Sequence, residues 1–200
     1  MTVEVELKCI VADLDGTRSR LERAGATLRF VGRLEDRRYD RSDHSLAAAD
    51  HVLRLRIYWN PNGSLVRASL DWKGPTTYGD GYKRREELTG AIEDPEVVSG
   101  ILERLGFVVT MAIDRDIWQY ESRGATVRFE RYPRMDDLVE VEGMPDAIER
   151  AIQALGLPRS AFAPARLSEF VRQFEERTGE RAALSNDELA GVVRYDVNNA

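Results

Sequence analysis

The chain has one cysteine, two histidines and no apolar run long enough to span a membrane or to serve as a signal peptide. Cys9 alone cannot close an internal disulfide, and with only His44 and His51 beside it no His/Cys zinc site can be built. A reducing, cytoplasmic setting without membrane attachment is expected. Charge of one sign is never segregated: 35 acids and 29 bases give a formal charge of -6 with no like-charged block. That balance argues against a nucleic-acid polymer as partner, since such binding wants a basic face. A glycine-rich phosphate loop is also missing, because Gly79-Asp80-Gly81 is not followed by Lys-Ser/Thr between a strand and a helix. The segment reads instead as a mobile loop that could close over a cavity mouth. His44 and His51 read as ordinary loop residues, and Cys9 as a small core residue.

What the sequence does contain is alternation. Residues 3–11 set Val3, Val5 and Leu7 against Glu4, Glu6 and Lys8, the period of a strand. From Asp13 the apolar spacing becomes helical and stops at Ala24-Gly25. Residues 52–59 and 64–73 are two more alternating runs joined by Asn60-Pro61-Asn62-Gly63, a hairpin signal. An internal echo at an offset of 81 residues lines up Glu6-Leu7 with Glu87-Leu88, and Leu21-Glu22-Arg23 with Leu102-Glu103-Arg104. Asp94-Pro95 supplies a cap and first-turn proline for the second helix. Basic strands are expected at 33–40 and 113–120, further strands at 126–130 and 138–142, and helices at 145–155 and 165–177. A short helix capped at Ser185 follows. The division expected is a main domain over 1–178 and a C-terminal helical extension and tail over 179–200.

Nearly every strand carries a charged face, mostly Arg and Glu of both signs. The charged sets are Glu4/Glu6/Lys8, Arg54/Arg56, Asp71/Lys73, Arg85/Glu87, Arg115, Arg128/Glu130 and Glu140/Glu142; the apolar sets include Leu53/Leu55/Ile57, Leu88, Val127/Phe129 and Leu138/Val139/Val141. For one strand, a solvated outer face explains such alternation. For about eight strands, closure into an α+β fold is expected: an antiparallel eight-stranded β-barrel, helices packed on its apolar outside and charges pointing inward. Two carboxylates on successive same-face positions lie about 7 Å apart, costing roughly 0.6 kcal/mol in water but about 2.4 kcal/mol at an effective dielectric near 20. Such a lumen needs cations, and arginines plus a divalent ion with oxygen ligands supply them. Parity places Arg85 and Glu87 inside if Leu88 faces an outer core. Arg84 and Glu86 then read as a solvated pair.

On these residues the sequence resembles the CYTH domains, the triphosphate tunnel metalloenzymes, which include class IV adenylyl cyclases and thiamine- or inorganic-triphosphatases. The matching motifs are Glu4-Val5-Glu6-Leu7-Lys8, Leu53-Arg54-Leu55-Arg56, Trp72-Lys73-Gly74-Pro75, Arg85-x-Glu87 and Glu140-Val141-Glu142, within residues 2–175. The resemblance implies Mg²⁺ or Mn²⁺ held by Glu4, Glu6, Glu140 and Glu142 with Glu130 joining them. It also implies phosphates bound by Lys8, Arg54, Arg56, Lys73, Arg85 and Arg115. Arg128 and Glu87 join the expected substrate-binding set by their strand faces, and Glu4, Glu6 and Lys8 are the expected catalytic group. Two departures stand out: Ile117 occupies a position often basic in the family, and Arg37-Arg38-Tyr39 replaces Asp-x-Tyr, leaving open which arginine faces inward.

The expected function is metal-dependent hydrolysis of a small triphosphate, inorganic, nucleoside or thiamine-linked, by a monomer or homodimer. A class IV adenylyl cyclase making cyclic AMP and pyrophosphate is the alternative, and a non-catalytic polyphosphate or nucleotide binder the third. Phosphoryl chemistry asks mainly for positioning and charge neutralisation, which opposed Glu and Arg rows provide.

Overall fold

The computed structural model describes residues 2–196, with residues 2–4 described by their backbone alone. Nine strands and six α-helices follow in the order β1 (Thr2–Ile10), α1 (Leu14–Arg23), β2 (Thr27–Arg41), α2 (Ser45–Ala48), β3 (Val52–Trp59), β4 (Leu65–Lys73), β5 (Thr77–Gly79), β6 (Tyr82–Ile92), α3 (Pro95–Arg104), β7 (Phe107–Ser122), β8 (Ala125–Arg131), β9 (Leu138–Glu142), α4 (Pro145–Leu155), α5 (Leu167–Thr178) and α6 (Asn186–Leu189). The sheet runs β1-β9-β8-β7-β2-β3-β4-β6, and β6 pairs back onto β1 to close an antiparallel eight-stranded barrel. β5 is a short ninth strand laid on the end of β6.

The two halves of the internal echo, β1-α1-β2 and β6-α3-β7, have the same plan. In each, an aspartate opens the helix. The Asp13 carboxylate accepts from the Gly16 N–H at 2.9 Å, and Asp94 accepts from Glu96 and Val97 ahead of Pro95. Gly25 and Gly106 end them in the left-handed region, at φ 90° and 82°.

The apolar strand faces do point outward. Leu7, Cys9, Val127, Phe129, Val139 and Val141 are buried with Leu21 of α1 and Ile148, Ile152 and Leu155 of α4. On another side, α3 covers Tyr39 and Leu55 with Leu102. Two side chains depart from the expected outer set. Leu138 shares the inward parity of Glu140 and packs with Met111, Ile113 and Phe170, so α5 and the segment around Leu184 close that end of the barrel with an apolar plug. Leu88 faces outward as its parity requires, but it is 52% exposed because no helix covers it. Ile117 lies inside as well, buried with Leu34 and Tyr58.

The strands at 33–40 and 113–120 extend to 15 and 16 residues, because each pairs along most of its length with the other. Gly79-Asp80-Gly81 belongs to a hairpin and not to an open loop. Asp80 and Gly81 take φ 54° and 80° and form the two-residue turn of the β5–β6 hairpin.

Candidate functional site

Pairing register decides which charged residues meet. β2 sets Asp36 opposite Arg56 and Arg38 opposite Arg54, and β1 sets Glu6 opposite Glu142 and Lys8 opposite Glu140. Steps of two along each strand carry these faces through the lumen. The result is a cavity of 130 Å³ whose wall includes Glu6, Lys8, Arg38, Arg54, Arg56, Lys73, Arg85, Arg115, Arg128, Glu130 and Glu140. Expected site residues from seven different strands are thereby brought together.

The acidic side lies on β1, β8 and β9. The Lys8 ammonium bridges Glu6 and Glu140 at 2.8 and 2.6 Å, and Lys83 also pairs with Glu6. Burial alone would raise the Glu6 pKa, but Lys8, Lys83 and Lys73 hold it well below the usual carboxylate range. The same acids, led by Glu140 and Glu6, push Lys8 upward against its own burial. Glu130 contacts Arg115 at 3.0 Å and Arg128 at 2.8 Å and accepts from the Tyr132 hydroxyl at 2.6 Å. Against its burial, these two arginines bring Glu130 down to about 2. Glu142 is half-buried and sits opposite Glu6, outside the cavity wall. The side chain of Glu4 lies outside the described residues; its backbone stands opposite Arg85.

Asp36 sits at the basic centre. It accepts from Arg56 at 2.9 and 3.2 Å and from Arg115 at 3.1 Å, with Arg54 at 3.6 Å. Arg54 also donates through Nε and Nη2 to Asp71. Arg38, not Arg37, enters the cavity: Arg37 instead donates to Asp114 at 2.8 Å on the outside. Burial, with Arg54 beside it, lowers Arg38 to about 10 against the pull of Asp36. Arg85 lines the cavity while donating to the carbonyls of Gly74 and Asp50 at 2.7 and 2.6 Å, so it also ties two loops together. Glu87 is drawn between Lys73 at 3.4 Å and Arg54 at 3.6 Å.

The mouth is built by residues to which the sequence reading gave no site role. Asp50 accepts from the Thr76 N–H at 2.7 Å and from Arg166 at 2.9 Å, binding the loop before β3, the loop after β4 and the start of α5 into one rim. His51 lines this rim and its Nδ1 accepts from the Trp72 indole at 3.1 Å. It is therefore more than an incidental loop residue. Lys83 had a legible signal, two positions before Arg85 on the same face; Asp36 and Arg38 did not, because both faces of β2 are charged; Arg166 had none.

The carboxylate oxygens are the donors a hard divalent cation takes. Among the described residues, no three acidic, histidine or cysteine side chains already form an ion cage. What the structure offers is a cation seat: the Lys8 ammonium occupies the point where Glu6 and Glu140 converge.

A family model for the CYTH domain matches residues 2–155. No curated protein matches the sequence. Solved structures share the fold. A candidate adenylate cyclase from Vibrio parahaemolyticus has 19% identity and a TM-score of 0.71, covering 86% of this chain and 98% of its own. A protein from Pyrococcus horikoshii has 23% identity and a TM-score of 0.69, covering 85% and 98%. A Hippeastrum protein described as a candidate adenylyl cyclase with a dominant triphosphatase activity has 16% identity and a TM-score of 0.58, covering 92% and 99%.

Proposed function

Because this chain belongs to the CYTH domain family, we propose that it is a divalent-metal-dependent phosphohydrolase acting on a triphosphate held inside the barrel. The observation that carries this reading is one cavity walled by Arg38, Arg54, Arg56, Arg115 and Arg128 together with Glu6, Glu130 and Glu140. The triphosphatase activity named for the Hippeastrum relative supports the hydrolytic reading.

Glu4, Glu6, Glu140 and Glu142 would hold Mg²⁺ or Mn²⁺, with Glu130 near them, taking over the positive charge that Lys8 and Lys83 place on Glu6 and Glu140. When bound, the ion neutralises phosphate oxygens and lowers the pKa of a ligating water. The remaining work falls to the chain's own residues. Arg54, Arg56, Arg115 and Arg128, with Lys73 and Arg85 nearer the rim, grip the phosphate chain and spread its negative charge. Glu6, kept ionised by its lysines, accepts a hydrogen bond from the attacking water, and Lys8 stands beside it to hold the reacting phosphate. The water oxygen bonds to the terminal phosphorus as the bond to the bridging oxygen breaks, and the surrounding arginines stabilise the departing oxygen's charge.

The test incubates the protein with inorganic triphosphate, ATP or thiamine triphosphate plus Mg²⁺ or Mn²⁺ and separates the products. Orthophosphate release that stops on chelation is the expected result. Cyclic AMP with pyrophosphate would make the protein a cyclase, and metal-independent binding without product would make it a binder.

A further inference from the structure

Two ridges run along α3 at steps of four. Val97, Ile101 and Leu105 form one, at 55%, 51% and 60% exposure, and Glu96, Gly100 and Arg104 form its neighbour on the side away from the barrel. The barrel side of the helix, Val98 and Leu102, is already packed in the core. Among the described residues no element covers the apolar ridge, and a contiguous row of large apolar side chains left in water marks an interaction surface.

The internal echo shows what is missing there. At its offset of 81 residues Ile101 answers to Arg20 and Leu88 to Leu7. Arg20 lies against another helix: its guanidinium donates to the Leu155 and Gly156 carbonyls at the end of α4, at 3.1 and 3.3 Å. Leu7 is buried in the cluster that α4 closes. α3 has no counterpart of α4, so Ile101 and Leu88 stand bare where their equivalents in the first half meet a helix. Moreover, α1 has Gly16, Arg20 and Ala24 where α3 has Val97, Ile101 and Leu105. Water favours the opposite exchange, so the ridge fits an apolar helix from outside the chain.

The charges on the neighbouring ridge indicate which helix. Glu96 stands in the first turn and Arg104 in the last. A second copy turned end for end about a twofold axis sets its Arg104 beside Glu96 and its Glu96 beside Arg104, with the two Ile101 side chains near the axis. Gly100 lies between those charges. Glycine in a helix interior costs stability relative to alanine, and packing within the chain does not require it: a Cβ placed there meets only the flexible end of Arg104. A second helix backbone approaching this ridge does make use of the missing side chain.

We propose that α3 is the centre of an isologous homodimer, in which two copies of this chain pack through antiparallel α3 helices. No residue of α3 lines the lumen cavity, so the interface leaves the site and its mouth clear.

Sedimentation equilibrium of the full chain over about a hundredfold range of concentration tests it. Wild type should move from the 22.7 kDa of one chain toward twice that mass as concentration rises. Ile101→Glu should stay at the mass of one chain. Glu96→Arg and Arg104→Glu should each weaken association about tenfold, since each alone sets like charges together at both ends of the helix pair. An equimolar mixture of those two variants should recover the association of wild type, because each then finds the opposite charge on the other. A native circular dichroism spectrum in every variant separates loss of association from loss of fold. Wild type at single-chain mass throughout overturns the proposal. So does a dimer that Ile101→Glu leaves intact, or a mixture that associates no better than its components.

Discussion

Asp36 accepts Nε and Nη2 of Arg56 at 2.9 and 3.2 Å, and the pair lies where Arg54 and Arg115 also converge. At 1% exposure, Asp36 is a resident anion inside a basic cavity. Its carboxylate is held well below the usual range, Arg56, Arg54 and Arg115 overcoming the cost of burial. It keeps three arginines aimed into the lumen, so that on the proposed reading a phosphate chain need not order them itself.

Asp36→Asn should therefore be costly. It leaves three buried guanidinium groups facing one another without their common anion, a loss on the order of 3–5 kcal/mol. Denaturant unfolding of the purified variant measures it, and a change below about 1 kcal/mol would show that the arginines are not held by this carboxylate.

Arg37 and Arg38 are adjacent yet face opposite sides of β2, so their alanine variants should separate. Arg38→Ala removes a lumen cation and should raise KM for a triphosphate by about 10- to 100-fold, the range of one charged hydrogen bond, with a smaller effect on kcat. Arg37→Ala should leave KM unchanged, because its partner is Asp114 on the exterior. Steady-state kinetics on both variants decides, and equal effects would contradict the placement of Arg38.

The same pair marks the limit of what could be read from sequence. The barrel was legible because charged faces recur on strand after strand, and one such face on a lone strand carries no such message. Glu6, Lys8, Arg54 and Arg56 were legible because an apolar face opposite them fixed their parity. On β2 both faces are charged, Arg33/Glu35/Arg37 outside and Asp36/Arg38 inside, so only cross-strand pairing with Arg54 and Arg56 settles the side. Leu138 and Ile117 were obscured by the opposite fault: they are apolar yet inward, because the lumen is plugged near its ends. Arg166 comes from a segment whose sequence gives no hint that it returns to the mouth.

The acids of the lumen should make stability depend on pH in one direction. Glu130 ordinarily titrates at 4.5 and is brought to about 2 in the fold by Arg115 and Arg128, which outweigh its burial. A carboxyl depressed in the folded state contributes stability that is present above pH 4.5 and is lost as pH falls toward 2. The full contribution is roughly 3 kcal/mol at most. Unfolding free energies of wild type and Glu130→Gln, measured from pH 6 to pH 2, should converge as acid is added. A gap that stays constant over that window would rule out Glu130 as the group responsible.

Glu6→Gln and Arg56→Ala should fail in different ways. Glutamine keeps the size of Glu6 but not its charge, so it can neither share Lys8 and Lys83 as a carboxylate does nor hold a divalent cation as well. Turnover should fall by about three orders of magnitude, close to the loss of a group needed in the transition state, while the circular dichroism spectrum stays native. Calorimetry with Mn²⁺ alone should show weakened ion binding, a readout independent of catalysis. Arg56→Ala leaves the acidic side intact and Asp36 still paired with Arg115, so Mn²⁺ binding should survive while KM for the triphosphate rises. A Glu6→Gln protein that turns over triphosphate at the wild-type rate would remove Glu6 from the metal and catalytic assignment, whatever Arg56→Ala does.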